Sequence, residues 1–189
     1  MSSQLSANSR CVRRIDVAIA EPFRKELSGA WLKKVAADAL QSALPEGEPG
    51  QLSLVVTDDD TLRELNREFR GLDEVTDVLS FSPSHPGQWE GEAEAPQERV
   101  SISSDTESSP FILPPGEPPV VGEVVISYPQ AQRQAQDRQQ TADRELALLI
   151  VHGVLHLVGH DHVEPQEAAR MQAMERDALS VVFRSQDGE

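Results

Sequence analysis

The stretch RELALLIVHGVLHLVG, residues 144–159, limits the fold more than any other part of the chain. Its apolar residues fall on every side of a helix, so the rest of the molecule must cover that helix nearly all round. It is 16 residues long, short of the roughly 20 that span a bilayer, so the cover has to be protein. The flanking sequence can supply it. RRIDVAIA alternates, with Ile15, Val17 and Ile19 on one face, as a half-buried strand does. Ser28 then opens a helix in which Trp31, Leu32, Val35, Ala39, Leu40 and Ala43 recur at helical spacing, ending in the PEGEPG turn. LSLVVT reads as a second strand. Asp58 is placed to cap a second helix, with Leu62, Leu65 and Phe69 as its apolar stripe and Gly71 as its stop. DVLSFS and VVGEVVIS read as two more strands, PQAQRQAQDRQQ as a polar helix, and Pro165 opens a last helix with Met171, Met174, Ala178 and Val182 inward. Two strand–helix units followed by two strands and three helices predict an α+β fold. The expectation is a single domain over 11–184, with a small mixed four-stranded sheet packed by helices.

Between the third and fourth strands, residues 83–119 hold 8 of the 13 prolines and almost no periodic apolar pattern. They read as an acidic, disordered insertion within the domain, and a solvated loop is a simpler reading than a regulatory one. The net charge of −15 argues against a general polyanion binder. Six of those negative charges come from 83–119, which has 1 basic and 7 acidic groups. Any contact with nucleic acid therefore needs a local basic patch. Cys11 is the only cysteine and has no internal disulfide partner, which suits a reducing cytosol. The first ten residues lack the apolar core of a secretory signal.

Four of the five histidines lie between 152 and 162. His152 and His156, four apart, share one face of the helix. Gly159 can end the helix in a left-handed conformation and turn the chain, so that His162 completes a site the helical pair began. Three neutral imidazoles suit Zn²⁺ and leave its fourth position open, the pattern of a catalytic zinc site. Satisfied core histidines are the alternative, but three at ligand spacing around a glycine favour a metal. His160 and Asp161 have no assigned role. Asp161 could orient a ligand or be a plain loop carboxylate.

HGVLHLVGHDH resembles the H-G-x-L-H-L-x-G-x-D-H signature of the YbeY family of bacterial rRNA maturation endoribonucleases. LNREFRGLDEVTDVLSF, GEVVIS and RELALLIVHG resemble that family's other stretches, in the same order along nearly the whole chain. The resemblance implies one zinc ion per chain, held by His152, His156 and His162, on the buried C-terminal helix and the turn after it. It also implies cleavage of single-stranded RNA in maturation of the 16S rRNA 3′ end and in ribosome quality control. The partners implied are rRNA precursors and the small ribosomal subunit, in the cytoplasm, with neither DNA nor membrane involved. The family's functionally implicated arginine falls on Arg70. The chain departs from the family pattern in the length of the 83–119 insertion and in His160, where tyrosine is frequent.

Independently of that resemblance, Arg63, Arg67 and Arg70 form one helical stripe, the local patch an acidic chain would need. A guanidinium holds a phosphate with two parallel hydrogen bonds. A solvated helix face, with Glu64 and Glu68 beside the arginines, is the competing reading. Two other functions compete with RNA cleavage. The spacing H-x3-H-x2-G-x2-H is also that of metzincin proteases, and a zinc that only holds the fold would suit a non-catalytic ribosome-associated factor. Against the protease, Gly153 stands where zinc proteases of the H-E-x-x-H type carry their glutamate base. A glycine there could leave room for a ribose-phosphate backbone or serve close helix packing.

Overall fold

The computed structural model describes residues 12–84, 117–160 and 165–184. Strand β1 (Arg13–Ile19) leads through a short 3-10 turn at Glu21–Phe23 into helix α1 (Gly29–Ala43). The Ser28 hydroxyl accepts the Trp31 N–H at 3.3 Å and caps α1 as the sequence predicts. Strand β2 (Gly50–Thr57) and helix α2 (Asp59–Arg70) follow. Asp58 accepts the Thr61 N–H at 2.8 Å, and Gly71 closes α2 with φ 72°. Then come strands β3 (Val78–Phe81) and β4 (Val120–Ser127), and helices α3 (Tyr128–Asp137), α4 (Ala142–Leu157) and α5 (Pro165–Arg184).

The strands lie in the order β1-β2-β4-β3. β1, β2 and β4 run parallel and β3 pairs antiparallel with β4, so the sheet is mixed and the fold is α+β. Alternation along the strands sorts the side chains between two layers. Leu52, Leu54 and Val56 of β2 and Val124 and Ile126 of β4 join α1, α4 and α5 in the main core. Val125, Leu79 and Leu62 make a smaller cluster beneath α2 on the opposite face.

Helix α4 packs against α1, α3, α5, β3 and β4. Ten of its residues are buried, among them Leu146, Ile150, Val154 and Leu157. The all-round cover required by its sequence is therefore present. Met171, Ala178 and Val182 of α5 are buried, with Met174 packed half-buried beside them. Phe69 differs from the expected stripe on α2 and is 53% exposed. The inward positions of α2 are Leu62 and Asn66, with Leu65 packed half-buried beside Leu62 as expected, because the sheet beneath its last turn ends at the four-residue edge strand β3. Phe69 overhangs that edge and meets Phe81 edge-on at 5.0 Å between ring centres. Of the insertion read over 83–119, residues 85–116 lie outside the described residues. No helix among the described residues is long and apolar enough to cross a membrane.

Candidate metal centre

Ser80 of β3 and Ser82, just past its end, fix α4 along the sheet. Ser80 donates to the carbonyl of Gly153 at 3.1 Å and Ser82 to that of Leu157 at 3.0 Å. Two residues of strand advance about 6.7 Å and four residues of helix about 6 Å, so the two hydroxyls keep step with successive turns. Between these anchors α4 comes close to the sheet. A Cβ on Gly153 would lie 2.8 Å from Val124 Cγ1 and 3.0 Å from Ser80 Oγ. The glycine thus serves helix–sheet packing, and its position faces β4 rather than a space for substrate.

The start of α4 is held by Glu145, which is fully buried and accepts from Arg138 Nη1 at 2.5 Å and from the Gln140 side-chain amide. Its end is a Schellman motif. Gly159, at φ 88°, donates to the His156 carbonyl at 3.0 Å, and the His160 N–H reaches back to the Leu155 carbonyl at 3.0 Å. This is the left-handed stop expected at Gly159, and it turns the chain immediately after the histidine pair.

His152 and His156 stand one above the other, ring planes at 77° and centres 4.5 Å apart. Their Nε2 atoms converge to 3.0 Å. On its other side His152 places Nδ1 2.7 Å from Glu175 Oε1 on α5. With the Glu175 carboxylate accepting, Nδ1 donates to it and Nε2 faces His156. Two ligands at about 2.05 Å on a tetrahedral zinc would be ~3.3 Å apart, and the pair needs only a small opening to match. These two donors are therefore compatible with such a metal. Among the described residues no group of three such donors occurs. His162, predicted as the third ligand, and Asp161 lie outside the described residues.

A cavity of about 360 Å³ opens beside His152, lined also by Asp77, Arg138, Leu149, Met171 and Glu175. His160 lines a second cavity instead, with Leu44, Pro119, Val121 and Leu157. Burial, and then the charge of Arg170, hold the His160 imidazole below its usual pKa. Arg70 ends α2 on the sheet face opposite α4, and is half-buried with its Nε shielded from solvent. It does not line the cavity at His152. Arg63 of the same stripe is engaged with Asp73 through two hydrogen bonds of 2.7 and 3.1 Å.

Glu175 is the site residue that the sequence reading passed over. A signal for it exists: it lies four residues after Met171 and three before Ala178, an acidic side chain on the inward face of α5.

A family model described as Endoribonuclease YbeY matches residues 19–182. The protein named Endoribonuclease YbeY from Dehalococcoides mccartyi is 40% identical over 167 residues, covering 87% of this chain and 94% of that one. Its namesakes from Chloroflexus aurantiacus and Brevibacillus brevis are 36% and 35% identical, over 79% and 86% of this chain and 83% and 91% of theirs. The solution structure of TM1509 from Thermotoga maritima superposes with a TM-score of 0.54 at 20% identity, covering 92% of this chain and 91% of that one. At that identity it speaks for the fold alone. With the match running from the end of β1 into the last turns of α5, the chain belongs to the YbeY family of endoribonucleases.

Proposed function

We propose that this protein is a zinc-dependent endoribonuclease that cuts single-stranded RNA. Its substrates would be rRNA precursors, with action at the 16S rRNA 3′ end and in quality control of the small ribosomal subunit, in the cytoplasm. The observation that carries the reading is the convergence of the His152 and His156 Nε2 atoms to 3.0 Å in a chain of this family. His152, His156 and His162 would hold one zinc ion, which supplies Lewis-acid polarisation of phosphate and water oxygens when bound. Arg70, at the end of α2 and outside the cavity beside His152, would hold a phosphate of the bound RNA through its guanidinium. The catalytic domain would span 11–184, with 83–119 as an insertion that adds no core.

The protease reading is the less favoured one, for a reason in the packing. An H-E-x-x-H protease needs a carboxylate at position 153. That position faces Val124 and Ser80, with contacts of 2.8 and 3.0 Å already at the Cβ. A glutamate has no room there. RNA carries an internal nucleophile in its 2′-OH, so a ribonuclease can work without that base. The test is to give zinc-loaded protein single-stranded rRNA precursors and casein in parallel. The expected result is RNA cleavage that a chelator stops, with casein intact. Chelator-sensitive casein cleavage with RNA intact would overturn the reading, and cleavage of neither would favour a non-catalytic factor.

A further inference from the structure

Resting on the zinc reading above, we propose that Glu175 is a positioning residue for the metal ligand His152, and that through it helix α5 tunes the affinity of the centre. The Glu175 side chain is only 15% exposed and occupies an inward position of α5 between the buried Met171 and Ala178. A carboxylate keeps its charge in such a place only with a partner, since charge taken from water without one is heavily penalised. The partner is His152 Nδ1 at 2.7 Å, the short end of the range for charge-assisted N–H···O bonds.

Three consequences follow from that one contact. It holds the proton on Nδ1, which leaves Nε2 unprotonated and able to bind a metal. It sets the rotation of the ring, and this rotation brings Nε2 to 3.0 Å from His156 Nε2. It also pushes electron density into the imidazole, which makes Nε2 a stronger donor. Helix α4 supplies both histidines and could hold their backbone positions alone. Neither the ring tautomer nor its rotation is fixed by α4, and both depend on α5.

The experiment measures zinc affinity by chelator competition, together with the melting temperature of the zinc-free protein, for wild type, Glu175→Ala, Glu175→Gln and His152→Ala. Loss of such an outer carboxylate typically weakens metal binding 10–100-fold. Glu175→Ala is expected to weaken zinc binding by about that factor while the zinc-free protein melts within a few degrees of wild type. Glu175→Gln keeps the shape and an acceptor oxygen but not the charge, and should fall between wild type and alanine. Wild-type zinc affinity in both variants would overturn the proposal and leave Glu175 a packing contact between α4 and α5. Should Glu175→Ala fail to fold, Glu175→Gln decides, and wild-type affinity there overturns it. A wild-type chain that binds no zinc, or a His152→Ala chain that binds it fully, overturns the metal reading itself. That pattern is distinct from failure of the Glu175 role alone.

Discussion

Asp58 holds the first turn of α2 through its hydrogen bond to the Thr61 N–H, and the two bonds it makes with Thr61 keep its carboxyl below the usual aspartate pKa. Because the folded value lies below the unfolded one, the stabilisation is present above the unfolded value near 3.8 and is lost as pH falls through the folded value. Asp58→Ala is expected to cost about 1 kcal/mol at neutral pH. Urea unfolding of both proteins should show the gap closing in strong acid, whereas a gap constant down to pH 2 would contradict the capping account. At the other end of the helix, Arg70→Ala should keep zinc and fold yet lose about 10-fold or more in RNA cleavage, as removal of a charged hydrogen bond to a phosphate does. Arg70→Lys should recover only part, since the ammonium lacks the paired fork. Full cleavage by Arg70→Ala would show that this residue has no part in the reaction. Side-chain chemistry was legible wherever a local rule governs it, as at Ser28, Asp58, Gly71 and Gly159. Phe69 was not, because helical periodicity carries no record of where the neighbouring sheet stops. Nor was Glu175, since on an amphipathic helix a carboxylate reads as solvent-facing until its partner 23 residues earlier is known.

Helix α4 is tied to the sheet by the Ser80 hydroxyl of β3, by the Ser82 hydroxyl just past it, and by close approach to Val124 of β4 at Gly153. Gly153→Ala would gain roughly 1 kcal/mol of helix propensity. Its methyl would meet the stiff Val124 side chain at 2.8 Å, and overpacking of this kind costs about 1–3 kcal/mol. The net expectation is a lower melting temperature, partly relieved by Val124→Ala in the double variant. A double-mutant cycle that sums without coupling would show that the two residues do not compete for space. The elements themselves were legible because the alternation of β1 and the all-round apolarity of α4 admit one structure each. Their ends were read less well: β2 starts two residues earlier than LSLVVT, and α3 stops at Asp137, short of the end of the glutamine-rich run. The polarity of α3 hid a buried face of Tyr128, Ala131 and Ala135, of which the two alanines are small and carry little apolar signal.

Across the whole molecule, the charge of −15 means that RNA must be met locally, and Arg63 is already engaged with Asp73. The acidic insertion begins and ends against the domain. Ser82 donates to the Leu157 carbonyl, Pro119 accepts the Gln51 N–H at 2.8 Å, and Arg14 pairs with Glu117. Replacing 85–116 with a short Gly-Ser linker from Ser84 to Glu117 should leave the melting temperature within a few degrees, because a segment with so little apolar patterning buries little. Cooperative loss of the fold on that replacement would make the segment part of the core. The sheet order was out of reach of the sequence, which predicts a mixed sheet but not that β4 enters between β2 and β3. The pairing of His152 with His156 was legible from their spacing alone, and His162 rests on spacing and resemblance. The most direct measurement is therefore metal content by mass spectrometry of the wild-type, His156→Ala and His162→Ala proteins. About one zinc per wild-type chain and close to none in either variant is the predicted result. Full zinc content in the His156→Ala or His162→Ala protein would contradict the centre described above.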